Sequence, residues 1–162
     1  MSSSLWNSYA NQGLNGVPYK SPAGFSDHAF DYIFPDPQQF PSGQIVLPHG
    51  QTVEFDQFTD QGSLFLWFGL EMPPPVVSGV STSAGLYKVA IQIYLNDEAM
   101  FTDGLNNVVG FGNQSVPLPV FPPRWLSPGT LVRLIATNYD AADYYNFAVV
   151  FRGIRRYQVA GA

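Results

Sequence analysis

At 162 residues, with no cysteine and a net charge of −5, the chain has the length of one domain and excludes disulfide frameworks, thiolate metal sites and cysteine nucleophiles. Charged residues make up 12% of the sequence, about half the share of a typical soluble domain, whereas apolar residues make up 46%. Such a neutral surface is more typical of a subunit that buries it against neighbours than of a free-standing enzyme.

Residues 1–42 are predicted to form an extended N-terminal arm rather than a folded layer, because Asn, Ser, Gly and Pro interrupt the apolar groups. The arm nevertheless holds too many large apolar side chains for a solvated disordered tail. These side chains are expected to pack either along the chain's own domain or against a neighbouring subunit. The predicted anchors are Leu5, Trp6, Tyr9, Tyr19, Phe25, Phe30, Tyr32 and Phe34.

Residues 43–162 change to short β-type runs separated by Gly, Pro, Asn and Asp, which predicts an all-β fold, a jelly-roll-like antiparallel β-sandwich. No internal repeat of fixed period is visible, which argues against a propeller or solenoid. The predicted strands are Gln44–Leu47, Thr52–Phe58, Ser63–Glu71, Tyr87–Asn96, Val116–Val120, Leu131–Asn138 and Asn146–Gln158.

Side-chain patterns within these runs predict which faces are buried. The run Ser63–Leu70 is apolar on both faces, so we expect it to be covered on both sides. In the closing run, Gly153 predicts a bulge or sharp bend. Strict alternation predicts one core face in each of two further strands. In the first strand this face consists of Val89, Ile91, Ile93 and Leu95, and in the second it consists of Val132, Leu134 and Ala136.

Residues able to carry chemistry are few. The chain has two histidines and no Gly-x-Ser-x-Gly elbow, so we expect no enzyme and no cofactor. Asp97, Glu98 and Asp103 form a candidate cation loop, but their spacing favours a solvated hairpin. A second candidate, for zinc, is weaker because structural zinc usually binds thiolates, and it consists of Asp27, His28, Asp31 and His49.

Other classes of partner are also restricted by the sequence. No stretch approaches the 18 apolar residues of a membrane helix and residues 1–10 do not resemble a secretory signal, so we expect a protein made in the cytoplasm with no membrane partner. Nucleic acid is not expected as a partner at this acidic net charge. Aromatic-rich sandwiches include carbohydrate-binding modules, for which the candidate stacking residues are Trp67, Trp125, Tyr139, Tyr144 and Tyr145.

Basic residues are concentrated after residue 120, where the sequence contains five arginines and only two acidic residues, Asp140 and Asp143. This uneven charge can support head-to-tail contacts between copies or docking on an acidic partner, and solvated arginines on strand faces are the alternative. The partner-contacting residues are predicted to be Arg152, Arg155 and Arg156. Reversing Arg155 and Arg156 to glutamate should then weaken association with little loss of thermal stability.

The closing segment Phe147-Ala-Val-Val-Phe-Arg-Gly-Ile-Arg-Arg-Tyr resembles the final strand of small virion proteins of tailed bacteriophages. The likeness covers about a fifth of the chain. It implies a capsid cement or decoration protein, located in the virion, that forms homo-oligomers, commonly trimers, and bridges copies of the major capsid protein or other virion proteins. Phage tail, collar and head-fibre components are similar in appearance and remain alternatives, as do a carbohydrate-binding module and a hydrolase whose paired carboxylates converge in a cleft.

Overall fold

The structure is a computed structural model that describes residues 21–36, 38, 45–72, 76–77, 80–81, 88–101, 105–106, 118–142 and 145–159. All regular elements within these residues are β-strands. They are β1 (Phe25–Phe34), β2 (Ile45–Leu47), β3 (Thr52–Phe58), β4 (Leu64–Glu71), β5 (Val76–Val77), β6 (Val80–Ser81), β7 (Val89–Leu95), β8 (Glu98–Ala99), β9 (Leu105–Asn106), β10 (Leu118–Leu126), β11 (Leu131–Asn138), β12 (Tyr145–Phe147) and β13 (Val149–Gln158).

Two antiparallel sheets have the strand order of a jelly roll. The first sheet has the order β1-β13-β4-β10, and the second sheet has the order β3-β11-β7-β8, with β9 also paired to β7. Because β11 pairs with β7 along its whole length, β8 and β9 share the other edge of β7 and act as one interrupted strand. We count β8 and β9 as one strand and number the strands of the two main sheets 1–8 in chain order. The sheets then have the orders 1-8-3-6 and 2-7-4-5, which confirms the predicted jelly-roll sandwich.

Three of the connections between the two sheets, those from β1 to β3, from β4 to β7 and from β11 to β13, meet at one end of the sandwich. There β2, β12, β5 and β6 form a third, small sheet from segments that lie between consecutive strands of the main sheets. The buried carboxylate of Asp140 ties this end together, since its Oδ2 accepts hydrogen bonds from Lys88 Nζ and the Tyr145 hydroxyl, each at 2.6 Å. A buried carboxylate with both partners in place fixes the relative positions of these connections.

The inner faces of the two main sheets share one core. Trp67 and Phe151 are fully buried and stack with ring centroids 4.2 Å apart. The two predicted core faces are confirmed, because all their side chains are buried: Val89, Ile91, Ile93, Leu95, Val132, Leu134 and Ala136. Alternation of apolar side chains therefore located the core of the second sheet correctly.

The N-terminal boundary differs from the prediction. Phe25–Phe34 forms β1 and pairs with β13 over ten residues, whereas no strand was predicted before residue 43. The Gly and Pro residues that argued against a strand flank this run and none lies within it. Tyr32 and Phe34 therefore pack into their own domain, at 7% and 0% exposure. Residues 1–20 lie outside the described residues, and their predicted arm stays a prediction.

Two further strands differ at their ends, and one irregularity was predicted correctly. The predicted closing strand is interrupted at Ala148, which separates β12 from β13. The strand predicted to end at Val120 continues to Leu126, although its register with β4 shifts across the prolines. The register between β13 and β4 shifts at Gly153, which confirms the predicted position of the irregularity, but the extra residue is Phe68 of β4 and not a residue of the closing strand.

Candidate assembly surface

Some members of the two sets of residues predicted to contact partners contact each other within the domain. The anchors Phe25, Phe30, Tyr32 and Phe34 lie on β1, and the three arginines lie on β13, its antiparallel neighbour in the first sheet. Successive side chains of a strand point to opposite faces, so one part of this combined set points into the core and the other points outward. The anchors Leu5, Trp6, Tyr9 and Tyr19 lie outside the described residues.

Arg155 lies on the inner face, at the rim of the core. Its guanidinium carbon is 3.4 Å from the centroid of the Phe30 ring and 5.1 Å from that of Tyr32. The same guanidinium donates a hydrogen bond of 3.0 Å to the Tyr157 hydroxyl. A cation stacked on aromatic rings with little solvent contact stabilises the sheet that carries it.

Arg156 lies on the outer face and forms a bidentate pair with Asp27 of β1. Its Nε and a terminal nitrogen each donate to one carboxylate oxygen at 2.8 Å. The Asp27 side chain is 3% exposed and that of Arg156 is 15% exposed. Phe25 and Trp125 flank the guanidinium, with ring centroids 5.4 and 4.5 Å from its carbon. The pair therefore fixes the register of β1 against β13.

Arg152 is also on the outer face and is the most enclosed of the three arginines. Its side chain is 9% exposed, and a terminal nitrogen lies 2.8 Å from an oxygen of the buried Glu71. Asp31 is the direct neighbour of Arg152 in the register of β1 and β13. Two carboxylates thus lie near one guanidinium. Burial raises the pKa of the Asp31 carboxyl, Arg152 acts in the opposite direction, and the charge of Glu71 adds to the rise.

The raised pKa of Asp31 gives a pH-dependent expectation. The folded state binds the Asp31 proton more tightly than the unfolded chain, so ionised Asp31 lowers stability at neutral pH, and this loss disappears as the pH falls below the ordinary aspartate value. We expect Asp31→Asn to raise the Tm at about pH 7 and to leave it nearly unchanged near pH 3. Arg152 keeps Glu71 as a partner in the variant. A lower Tm at neutral pH would show that Arg152 requires both charges.

These contacts give all three arginines partners inside the first sheet. Contact with an external partner, predicted from the charge distribution, stays a prediction. The expectation that reversing Arg155 and Arg156 leaves thermal stability almost unchanged no longer follows, because Asp27 and Phe30 would each face an introduced carboxylate.

The outer face of the first sheet carries a continuous apolar row. Ala29, Ile154, Leu66 and Trp125 are direct neighbours in register across β1, β13, β4 and β10. Trp125 is 44% exposed, and Ile154 and Leu66 are half-buried. Two further residues of β1 point to the same side, Phe25 and Ile33, each 38% exposed. We call these six residues the outer apolar face: Phe25, Ala29, Ile33, Leu66, Trp125 and Ile154.

This surface was not predicted as a unit from the sequence. Ala29 and Ile154 carried no prediction of their own, Ile33 was one of the apolar side chains of the predicted arm, and Trp125 was considered only as a sugar-stacking residue. One signal was present, since the run Ser63–Leu70 is apolar on both sides and was expected to be covered on both. That signal located β4 but not the neighbouring strands, whose pairing is set by long-range contacts.

The other candidate sites do not assemble among the described residues. No group of three His, Cys, Asp or Glu side chains that could hold a metal ion occurs in this part of the chain. Asp97 pairs with Arg133 at 3.1 Å, and Asp103 lies outside the described residues. Of the predicted sugar-stacking aromatics, Trp67 and Tyr145 are buried, Tyr139 is 71% exposed and Tyr144 is not described.

The described residues contain no helix that is long and apolar enough to span a membrane. No family model and no curated protein matches the chain. Among solved structures, the chain is similar to the protein in the crystal structure of the infectious bursal disease virus VP2 subviral particle, with 13% sequence identity and a TM-score of 0.29. The match covers 89% of this chain but 40% of that one. A TM-score this low carries no weight, and the fold assignment rests on the strand order.

Proposed function

We propose that the chain is a structural virion protein, a cement or decoration subunit that stabilises a phage head by forming oligomers and by contacting the major capsid protein. The outer apolar face on a jelly-roll domain is the observation that carries this proposal. Jelly rolls occur in viral capsid and lectin domains, among others, so the fold is compatible with the role but does not decide it.

The composition of the outer apolar face supports a contact surface. Phe25, Ile33 and Trp125 expose large apolar side chains on one side of one sheet, and Arg156 lies between two of them. Trp, Tyr and Arg are the residue types enriched at binding hot spots. Full burial of one large apolar side chain contributes about 1.5–3 kcal/mol. Contacts of this size, repeated over a shell, add through avidity.

The position of Gly24 supports a role for the preceding residues. Its carbonyl oxygen accepts a hydrogen bond from Val159 N at 2.9 Å, so the described chain begins beside the last residues of β13 and next to Phe25. The twenty residues before Ser21 span at most ~70 Å when fully extended. In the proposal, the anchors Leu5, Trp6, Tyr9 and Tyr19 use this reach to pack on a neighbouring subunit of the shell.

Removing residues 1–20 tests this role. We expect the truncated protein to keep a cooperative thermal transition, because all described strands are retained, and to lose oligomers in native mass spectrometry and binding to capsid shells in co-sedimentation. Trp6→Ser combined with Tyr9→Ser in the full chain should weaken assembly in the same direction. Assembly of the truncated protein at the level of the full chain would refute the arm contact.

The end point of the truncation matters. Deleting residues 1–42 would also remove β1, which supplies the buried side chains of Tyr32 and Phe34 and pairs with β13 over ten residues. Loss of assembly in that longer deletion would therefore reflect loss of the fold and would not test the arm.

A further inference from the structure

The first sheet ends at β1, which has a neighbouring strand on one side only in the described part of the chain. In an antiparallel ladder the backbone groups of successive residues point to alternate sides. Val159 N donates to the Gly24 carbonyl, so the even-numbered residues of β1 face β13 and the odd-numbered residues face away from it. The N–H and C=O groups of Ala29, Asp31 and Ile33 therefore line an open edge, which we call the β1 edge.

The other edges of the two main sheets carry features that prevent pairing with another strand. β10 contains Pro119, Pro122 and Pro123, which have no N–H to donate. β3 exposes the carboxylates of Glu54 and Asp56. β8 and β9 are only two residues long each. β1 differs from these strands, because it is ten residues long and contains neither proline nor lysine.

The two aspartates of β1 give its edge little protection. The Asp27 side chain is 3% exposed and pairs with Arg156 of β13. Asp31 lies beside Arg152 of β13 in the register of the two strands. Each carboxylate thus has an arginine of the neighbouring strand beside it. An approaching strand is therefore repelled less than it would be by solvated carboxylates.

We propose that the β1 edge pairs with the β1 edge of a second copy of the chain. The two antiparallel β1 strands then join the first sheets of both copies into one sheet of eight strands. The same strand serves both copies, as a twofold interface requires. The outer apolar faces of the two copies lie on the same side of the joined sheet. A larger assembly needs a further contact beyond this pair.

One register of this pairing avoids repulsion between carboxylates. It places Phe30 opposite Phe30 of the second copy. Ala29 then lies opposite Asp31 of the second copy, and Asp27 lies opposite Ile33. A shift of two residues in one direction would place Asp27 opposite Asp31, and a shift in the other direction would place the two copies of Asp31 opposite each other. Like charges directly opposite each other destabilise a strand pair, so the first register is favoured.

The turn before β1 lies on the side of the open edge. Phe25 N donates to the Pro22 carbonyl at 3.2 Å, and Gly24 has a left-handed backbone with φ of 82°. The chain before Ser21 is therefore attached on the side of the second copy. The inference rests on the proposed function for its premise that copies associate, and it names the copy beside β1 as the neighbour that residues 1–20 contact. Removing these residues should then weaken the pair.

A single introduced cysteine tests the pairing, because the chain has no cysteine of its own. Phe30→Cys would place two thiols directly opposite each other, at a separation that a disulfide spans. We expect mild oxidation, at a concentration where native mass spectrometry shows oligomers, to give a covalent dimer on a denaturing gel. Ser26→Cys is the matched control on the same face of β1, since its two copies would lie about 27 Å apart in the proposed register.

Two results of the cross-linking experiment would overturn the pairing. One is the absence of a covalent dimer in oxidised Phe30→Cys, and the other is equal cross-linking of Phe30→Cys and Ser26→Cys. A covalent dimer in Phe30→Cys alone would support both the pairing and its register.

A proline in the open edge provides a second test. Ala29→Pro removes an N–H that points away from β13, so we expect a cooperative thermal transition and an at least tenfold higher dissociation constant of the pair in sedimentation equilibrium. Glu54→Pro is the matched control in β3, where the replaced N–H also points away from the neighbouring strand. Its dissociation constant should change less than twofold. Equal effects of the two prolines would overturn the pairing, and the cross-link decides if Ala29→Pro fails to fold.

Co-sedimentation of the same samples with capsid shells separates this inference from the proposed function. Covalent dimers of Phe30→Cys that do not bind shells would contradict the proposed function and leave the pairing intact. Shell binding and self-association that are both unchanged in Ala29→Pro would overturn the pairing and leave the proposed function intact.

Discussion

Gly153→Ala is expected to destabilise the domain by about 3 kcal/mol or more, measured by equilibrium unfolding in denaturant. A Cβ atom at this position would collide with the carbonyl oxygen of Leu66 and with the ring of Phe65. Leu66 belongs to β4, which is held between β13 and β10, and Phe65 is fully buried, so neither can move aside easily. The register shift lies at the position where the two backbones approach this closely.

Gly62→Ala is the matched control for this substitution. A Cβ at Gly62 meets only a carboxylate oxygen of Asp60 at 3.8 Å, an ordinary contact. We expect its stability to change by less than about 0.5 kcal/mol. Similar losses in the two variants would show that the close approach at Gly153 relaxes without cost, and that the bulge does not depend on a missing side chain.

Arg156→Gln is expected to lower stability by about 3 kcal/mol, since it leaves the carboxylate of Asp27 enclosed without its guanidinium. Arg133→Gln provides a comparison of the same chemistry in the second sheet. Arg133 also makes two hydrogen bonds to an aspartate that is its direct cross-strand neighbour, Asp56, but the side chains are 31% and 42% exposed. Exposed pairs contribute little, so that variant should melt close to the unmodified protein.

Denaturant unfolding of both variants and of Asp27→Asn completes the comparison. If Asp27 is destabilising once its partner is lost, the double variant with Arg156→Gln and Asp27→Asn should recover part of the loss. Equal effects of Arg156→Gln and Arg133→Gln would mean that enclosure of the pair is unimportant, and Arg156 would again be a candidate for partner contact.

Local patterning in the sequence was sufficient for much of the fold. Alternation in the runs that became β7 and β11 identified their core faces, and glycine and proline marked most strand boundaries. The position of Gly153 located the bulge because a glycine inside a strand often marks a bulge or a close approach of two backbones. These features depend on residues close together in the sequence.

The remaining features depend on pairing between distant residues. β1 was not predicted because Gly and Pro residues interrupt the sequence before and after it. Its partner β13 begins more than a hundred residues later. The same limit applies to the surface. The sequence alone does not show that Arg156 lies opposite Asp27. Nor does it show the apolar row, which forms when four strands pair in register and consists of Ala29, Ile154, Leu66 and Trp125.

Pairing of the first long strand with the last also constrains how the molecule folds. While the chain is being synthesised, β4 has its β13 edge open and the ring of Trp67 lacks Phe151, its stacking partner, until β13 has been made. Contacts of such long sequence separation slow folding and leave apolar strands open to association in the meantime. Newly made protein is therefore most vulnerable to aggregation before β13 leaves the ribosome, and slower synthesis of the last third of the chain would lengthen that interval.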